Sequence, residues 1–177
     1  MVGINFFINH ILSLNGVDIM KPINLKKLAI AIAIPEAVGL LASLVSGNIG
    51  SRYSEFQKPP LSPPGWIFPV VWVILYALMG IASYLVAQSG YGSKDDKSNA
   101  FIFYGTQLFF NFLWPIIFFR FEAYILAVAV IFVLDILVII TALCFGRFDR
   151  RAFYLFIPYI IWLLFATYLN IGVALLN

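Results

Sequence analysis

Five stretches of this chain are almost free of charge, and each is long enough to cross a bilayer. A helix traversing the roughly 30 Å hydrocarbon layer needs about 20 mostly apolar residues. Leu28 to Ser51 is interrupted only by Glu36, and Pro59 to Ser93 carries no charge over 35 residues. Lys97 and Arg120 bracket Ser98 to Phe119, Ala123 to Gly146 contains only Asp135, and Ala152 to Asn177 is uncharged. Hydrophobic residue types reach 63% and charged types 11%, against roughly 45–50% and about 25% in a soluble domain. A compact soluble fold of this length buries only about 70% of the surface its unfolded chain exposes, so the solvent around these runs must be lipid.

The second run is longer than one span requires. Its first part, Pro59-Pro60-Leu61-Ser62-Pro63-Pro64-Gly65, cannot be regular helix, because each proline removes a donor and disfavours helix in the residue before it. The expected fold is therefore an all-α membrane protein, a five-transmembrane-helix bundle with spans near 28–48, 66–88, 99–119, 123–145 and 152–174 and a long proline-rich first loop. That loop, Asn48 to Gly65, is about eighteen residues long, and loops of this length are usually either functional or disordered. Its prolines, with Tyr53, Phe56 and Leu61 as apolar residues to bury, favour an ordered lid over one end of the bundle; a loose linker is the alternative.

Residues 1–20 fall outside this pattern, which begins more naturally at Met20-Lys21-Pro22 with Lys26 and Lys27 following. The run Ile4 to Leu14 has no positive start and is too short to cross, so it reads as neither a signal peptide nor a sixth span. An interfacial extension and a misassigned upstream start account for it equally well. With five spans, Lys21, Lys26, Lys27, Lys94, Lys97, Arg147, Arg150 and Arg151 share one side, and Arg52, Lys58 and Arg120 the other. The tendency of Lys and Arg to remain in the cytoplasm places the amino terminus there and the lid and carboxyl terminus outside a cell membrane.

Several chemistries are excluded early. The net charge is only +3 and thinly spread, without the basic stripe of a nucleic-acid partner. Cys144 and His10 are the sole residues of their types, so neither an intrachain disulfide nor a Cys/His metal site is possible. No serine or cysteine within the membrane has a histidine to activate it for hydrolysis. Glu36 and Asp135, without a basic partner in any span, should be protonated or reach a wet cavity; structural hydrogen bonding is the main expectation, and proton coupling the alternative.

Polar side chains within spans should turn toward the bundle interior or a cavity. Gln107, Asn111 and Trp114 follow one another at i, i+4 and i+7, one stripe of a helix with 3.6 residues per turn. Pro115 then frees a backbone carbonyl one turn earlier, near Asn111. This pattern suits a pocket for a flat, largely apolar ligand with a few polar atoms, and it suits equally a set of hydrogen bonds to neighbouring helices. Trp72, Tyr76 and Gly80 share a face of the second span, and Trp162, Ala166 and Asn170 a face of the fifth. An aromatic residue followed by a small one leaves room for a planar group, whereas Trp66 and Tyr53 fit an interfacial aromatic belt. Small residues at spacing four, Ala29, Ala33 and Ala37 in the first span and Ala123 and Ala127 in the fourth, would allow close helix approach, explained as well by packing inside one bundle as by dimerisation.

Four segments in order resemble one known family. They are Gln57-Lys58-Pro59-Pro60-Leu61-Ser62-Pro63-Pro64 with Trp72 and Leu75 to Gly80; Gln107 to Pro115; Leu134-Asp135-Ile136-Leu137; and Pro158 to Asn170. Over roughly residues 29 to 172 the chain is similar to the translocator protein family, also called tryptophan-rich sensory proteins or peripheral-type benzodiazepine receptors. The resemblance implies a five-helix bundle, commonly a homodimer, with a pocket under the first loop that binds porphyrins and synthetic hydrophobic drugs. By position that pocket would include Tyr53 and Pro63 from the loop, Trp72, Gln107, Asn111 and Trp114, and Trp162 and Ala166 from the fifth span.

The function so implied is an integral membrane binding protein for tetrapyrroles of the porphyrin or haem type and other flat lipophilic ligands, acting in sensing or transport. No obligatory cofactor is expected. A light- and oxygen-dependent porphyrin-degrading enzyme is the alternative. Two departures from the family pattern bear on this. Leu61 stands where the proline loop usually has tryptophan, which weakens photochemistry relying on that indole. The residues after Asn170 lack the tyrosine and arginine of the animal cholesterol-recognition stretch, itself a weak pattern.

Overall fold

In a computed structural model of the protein, residues 23–177 are described, and among them all regular structure is helical. The reading of residues 1–20 as an extension lies outside the described residues. Among the described residues, five helices are long and apolar enough to span a membrane. They are α1 (Leu25–Ser46), α3 (Ile67–Gln88), α4 (Lys94–Pro115, continued by a π-helical turn Ile116–Arg120), α5 (Tyr124–Gly146) and α6 (Arg150–Leu176), with a short helix α2 (Ile49–Glu55) between the first two.

Local chemistry sets the helix ends. The Asn24 side chain caps α1 by accepting from the Lys27 N–H at 3.0 Å, and Gly47, at φ 83°, stops the helix. In α4 the helix begins before the charge-free window, because Ser93 accepts from the Asp96 N–H at 3.0 Å, and Asp95 and Asp96 lie in the first turn, where the helix dipole favours negative charge. At the other end Pro115 cannot donate to the Asn111 carbonyl, and the backbone loosens into the π turn, closed by Phe121 N–H to the Ile116 carbonyl at 3.1 Å.

The spans form a closed ring in the order α1, α3, α6, α5, α4 and back to α1. Its core holds Leu75, Met79, Leu134, Val138, Phe145, Phe156, Tyr159 and Leu163. The close approach of α1 and α3 does not use the alanine stripe proposed above: Ala29, Ala33 and Ala37 are all exposed on the outer face of α1. Glycines do it instead. A Cβ on Gly80 would lie 2.4 Å from Ile32 Cα and 2.7 Å from the Ala31 carbonyl oxygen, the carbonyl whose helical donor Pro35 has removed. A Cβ on Gly39 would fall 2.1 Å from the Tyr76 ring. Small residues are neutral toward lipid, so spacing alone could not say which stripe met a helix. In α5, Ala127 is fully buried.

Between α1 and α3 the connection folds back onto one end of the ring, the lid end. Phe56 inserts among Phe118, Phe119 and Tyr124, with ring centroids 5.5, 6.0 and 5.6 Å away. Gln57 exchanges two 3.0 Å hydrogen bonds with the Asn177 carboxamide, and Tyr168 donates to the Pro60 carbonyl at 2.8 Å. Pro59 fills the space over Gly172, where a Cβ would come within 2.4 Å of its ring. Arg52 of α2 forms an ion pair with Glu122 in the turn before α5.

Candidate functional site

A polar chain runs across the middle of the ring. Tyr76 of α3 donates to Asn111 Oδ1 at 2.7 Å, Asn111 Nδ2 donates to the Tyr159 hydroxyl of α6 at 2.5 Å, and Tyr159 donates to Gln107 Oε1 at 3.3 Å. Gln107 Nε2 completes it, 3.6 Å from the Met79 sulfur. Gln107 and Asn111 are 0% and 3% exposed, so the inward stripe of α4 is buried and bonded to its own neighbours. Of the two readings of that stripe, interhelical bonding describes its contacts. A carboxamide in this chain cannot pass a proton along as a hydroxyl can, so the chain fixes side chains and is not a relay.

Toward the lid end, Trp114 Nε1 donates to Asn170 Oδ1 at 2.8 Å, and Asn170 Nδ2 reaches the Tyr124 carbonyl at 3.4 Å. Asp135 accepts from the Thr167 hydroxyl at 2.9 Å, as structural bonding requires, while Glu36 makes no hydrogen bond among the described residues.

The tryptophans lie at the edge of this core. Trp72 packs on the two tyrosines that Asn111 holds, 5.4 Å from the Tyr76 ring and 6.0 Å from that of Tyr159. On the neighbouring seam an aromatic row descends from the lid. Tyr53, whose hydroxyl donates to the Pro63 carbonyl at 2.7 Å, meets Phe68 edge-on at 5.0 Å. Phe68 meets Trp162 at 5.8 Å, and Trp162 meets Phe165 at 5.7 Å. Burial pushes the Tyr53 phenol above its ordinary pKa, a shift the Ser62 hydroxyl opposes.

Along this row, between α3 and α6, runs a groove of about 510 Å³ lined by Val71, Ile74, Leu75, Ile157, Pro158, Ile161, Trp162 and Phe165. Ile74 and Ile161 are 54% and 64% exposed, so the groove faces the lipid laterally. Its volume lies in the roughly 300–1,000 Å³ range of small-molecule sites. Every lining side chain is apolar apart from the Trp162 indole, whose Nε1 is buried and has no hydrogen-bond partner among the described residues. Of the eight residues singled out from the sequence, Trp162 lines the groove. Ala166, one turn further along α6, is 5% exposed; Tyr53, bonded to Pro63, reaches Trp162 through Phe68, and Gln107 and Asn111 are buried in the core, with Trp72 and Trp114 packed against it. Sequence reasoning placed Tyr76 on a shared face with Trp72 but assigned it no partner, and it passed over Tyr159. Tyr159 lies at i, with Leu163, Ala166 and Asn170 at i+4, i+7 and i+11, a stripe that periodicity exposes once Asn170 is known to point inward.

Among the described residues, a single ring of five spans with a folded first loop defines a multi-pass integral membrane protein. The chain belongs to the TspO/MBR family, whose sequence model matches residues 31–176. It is 36% identical over 155 residues to the Tryptophan-rich protein TspO of Archaeoglobus fulgidus, covering 87% of this chain and 99% of that protein. The Tryptophan-rich sensory protein of Cereibacter sphaeroides is 39% identical over 125 residues, 71% of this chain and 76% of its own length. The Translocator protein of Homo sapiens is 33% identical over 146 residues, 77% and 86% of the two chains. Those names speak of sensing and of translocation for those proteins.

Proposed function

We propose that this protein binds a flat lipophilic ring of the tetrapyrrole class, a porphyrin or haem, in the groove between α3 and α6, and that it acts in sensing or transport. The observation that carries the reading is the apolar groove of about 510 Å³ along which the Trp162 indole lies. A ring seated there lays an apolar face along Val71, Leu75 and Pro158. Stacking of a planar base on an aromatic side chain contributes about 1–3 kcal/mol in nucleic-acid sites; by analogy Trp162 in the lining supplies one such surface and Trp72, packed on Tyr76 and Tyr159, would supply a second. Together with apolar burial these support micromolar affinity, around −8 kcal/mol.

In this reading Gln107 and Asn111 act at one remove, by fixing Tyr76 and Tyr159, on which Trp72 rests. Trp114 ties α4 to α6 behind the site through Asn170, Ala166 leaves room beside Trp162, and Tyr53 and Pro63 close the outer end.

The placement in the membrane belongs to the same proposal. Lys26, Lys27, Lys94, Lys97, Arg147, Arg150 and Arg151 gather at one end of the bundle and Arg52, Lys58 and Arg120 at the other. That asymmetry supports a cell-membrane protein with the lid and carboxyl terminus outside. A homodimer is included on family grounds.

The test is a titration of purified protein with protoporphyrin, read in the Soret band so that tryptophan substitution does not remove the reporter. Trp72→Phe and Trp162→Phe combined should weaken binding at least tenfold. An affinity within twofold of the parent protein would remove the groove from consideration.

A further inference from the structure

The groove offers no cation to a ligand. All its lining residues are uncharged, and no Lys or Arg lies within the hydrocarbon stretch of any span. An ionised carboxylate taken into such surroundings without a partner is heavily penalised. A flat ring bearing carboxylates on one edge must therefore leave that edge at an end of the groove, and the mouth at its Phe165 end lies by the lid, where Tyr168 stacks on Phe165 at 6.2 Å and donates to the Pro60 carbonyl.

Three basic residues stand at this end. Arg52 is engaged by Glu122. Arg120 donates to the Val45 carbonyl at 2.9 Å. Lys58 has neither an ion pair nor a hydrogen bond among the described residues; its ammonium hangs over the Tyr53 ring, 4.8 Å from the centroid. Tyr53 is held by its bond to Pro63 and by Phe68, and Phe68 touches Trp162. Three successive contacts thus lead from a free ammonium to the indole of the groove. Cation–π attraction at an exposed site is worth only about 0.5–1 kcal/mol, so a carboxylate arriving at the mouth competes for this charge easily.

We infer that Lys58 is the carboxylate-binding residue of this site, receiving the acidic edge of a ring whose body lies in the groove. The inference rests on the reading of the groove as a ring site and adds the ligand's chemistry and orientation: an amphiphilic ring, acidic edge outward, with the apolar edge toward Ile157 and Pro158.

The experiment compares protoporphyrin with its dimethyl ester, in the unmodified protein, Lys58→Gln and Lys58→Arg, all in lipid nanodiscs. Exposed ion pairs of this kind change affinity by up to about fivefold. The diacid should lose about that factor in Lys58→Gln, and its affinity in the unmodified protein should fall with added salt, a dependence absent from the variant. The ester should bind all three proteins alike, and Lys58→Arg should keep the diacid preference. Equal weakening of both compounds in Lys58→Gln, or no change in either, overturns the assignment while leaving the groove as the ring site. If the unmodified protein binds neither compound, the groove reading falls and the assignment with it.

Discussion

Asn111 is the joint of the polar chain, and replacing it tests whether the chain is a unit. Asn111→Ala deletes the acceptor of the Tyr76 hydroxyl and one donor to Tyr159, leaving a buried hydroxyl with no partner. Interhelical hydrogen bonds in membranes contribute about 0.6 kcal/mol on average and at most about 1.7, so two of them, both at 2.5–2.7 Å between residues under 7% exposed, should be worth about 2 kcal/mol. Tyr159→Phe removes one of the same bonds together with the 3.3 Å bond to Gln107, for a loss of about 1.5 kcal/mol on the same scale. Because one bond is shared, the double variant should lose less than the two single losses combined, by about 1 kcal/mol, within the usual coupling range of contacting residues. The assay is reversible unfolding in mixed micelles of increasing denaturing detergent, followed by far-ultraviolet circular dichroism. Losses that add to within about 0.3 kcal/mol, the behaviour of independent sites, would refute the idea that Tyr76, Asn111, Tyr159 and Gln107 form one network.

Two further predictions concern the bundle. Gly80→Ala pushes a methyl into the α1 backbone at 2.4 Å from Ile32 Cα and should cost about 1–3 kcal/mol in the same assay, whereas Gly105→Ala, with open space around its Cβ, should leave stability unchanged or raise it. Asp149 caps α6 through the Arg151 N–H at 2.8 Å and pairs with the Arg151 guanidinium at 2.8 Å. Burial pushes this carboxyl up, but the bonds and charge of Arg151 outweigh it and hold it below the usual range. A depressed folded-state value means that its contribution is complete above the unfolded value, near pH 4, and fades as pH falls toward the folded one. The stability gap between the parent protein and Asp149→Ala, about 1 kcal/mol at neutral pH, should therefore shrink below about pH 4; a gap independent of pH from 7 to 3 would contradict this.

Much of the architecture is legible in the chain because the bilayer imposes simple demands. The five uncharged runs correspond to five long helices, and the polar stripe of α4 does turn inward, since Gln107 and Asn111 have no tolerable place in lipid. What they meet could not be read. Their partners Tyr76 and Tyr159 come from α3 and α6, and helix order around a ring follows from shape complementarity, which one sequence does not display. The alanine stripe of α1 shows the same limit from the other side: Ala33 is as comfortable against lipid as against a helix, while Gly80 could be recognised as the contact only once Ile32 was seen against it. In the lid, the prolines ruled out helix after Pro59, but the short α2 and the Arg52 to Glu122 pair depend on a turn far along the chain. The groove escaped sequence reading because it is defined by the outer faces of two helices, where apolar residues such as Ile74 and Ile161 look like ordinary lipid contacts.

The most direct test of the account is a structure of the protein loaded with protoporphyrin, with one distance measured from it: that between the ring centroid and the Trp162 indole. The account predicts the ring between α3 and α6, within about 6 Å of that indole, the reach typical of paired aromatic groups. A ring bound elsewhere on the bundle, with lipid filling the seam beside Val71 and Pro158, would contradict it.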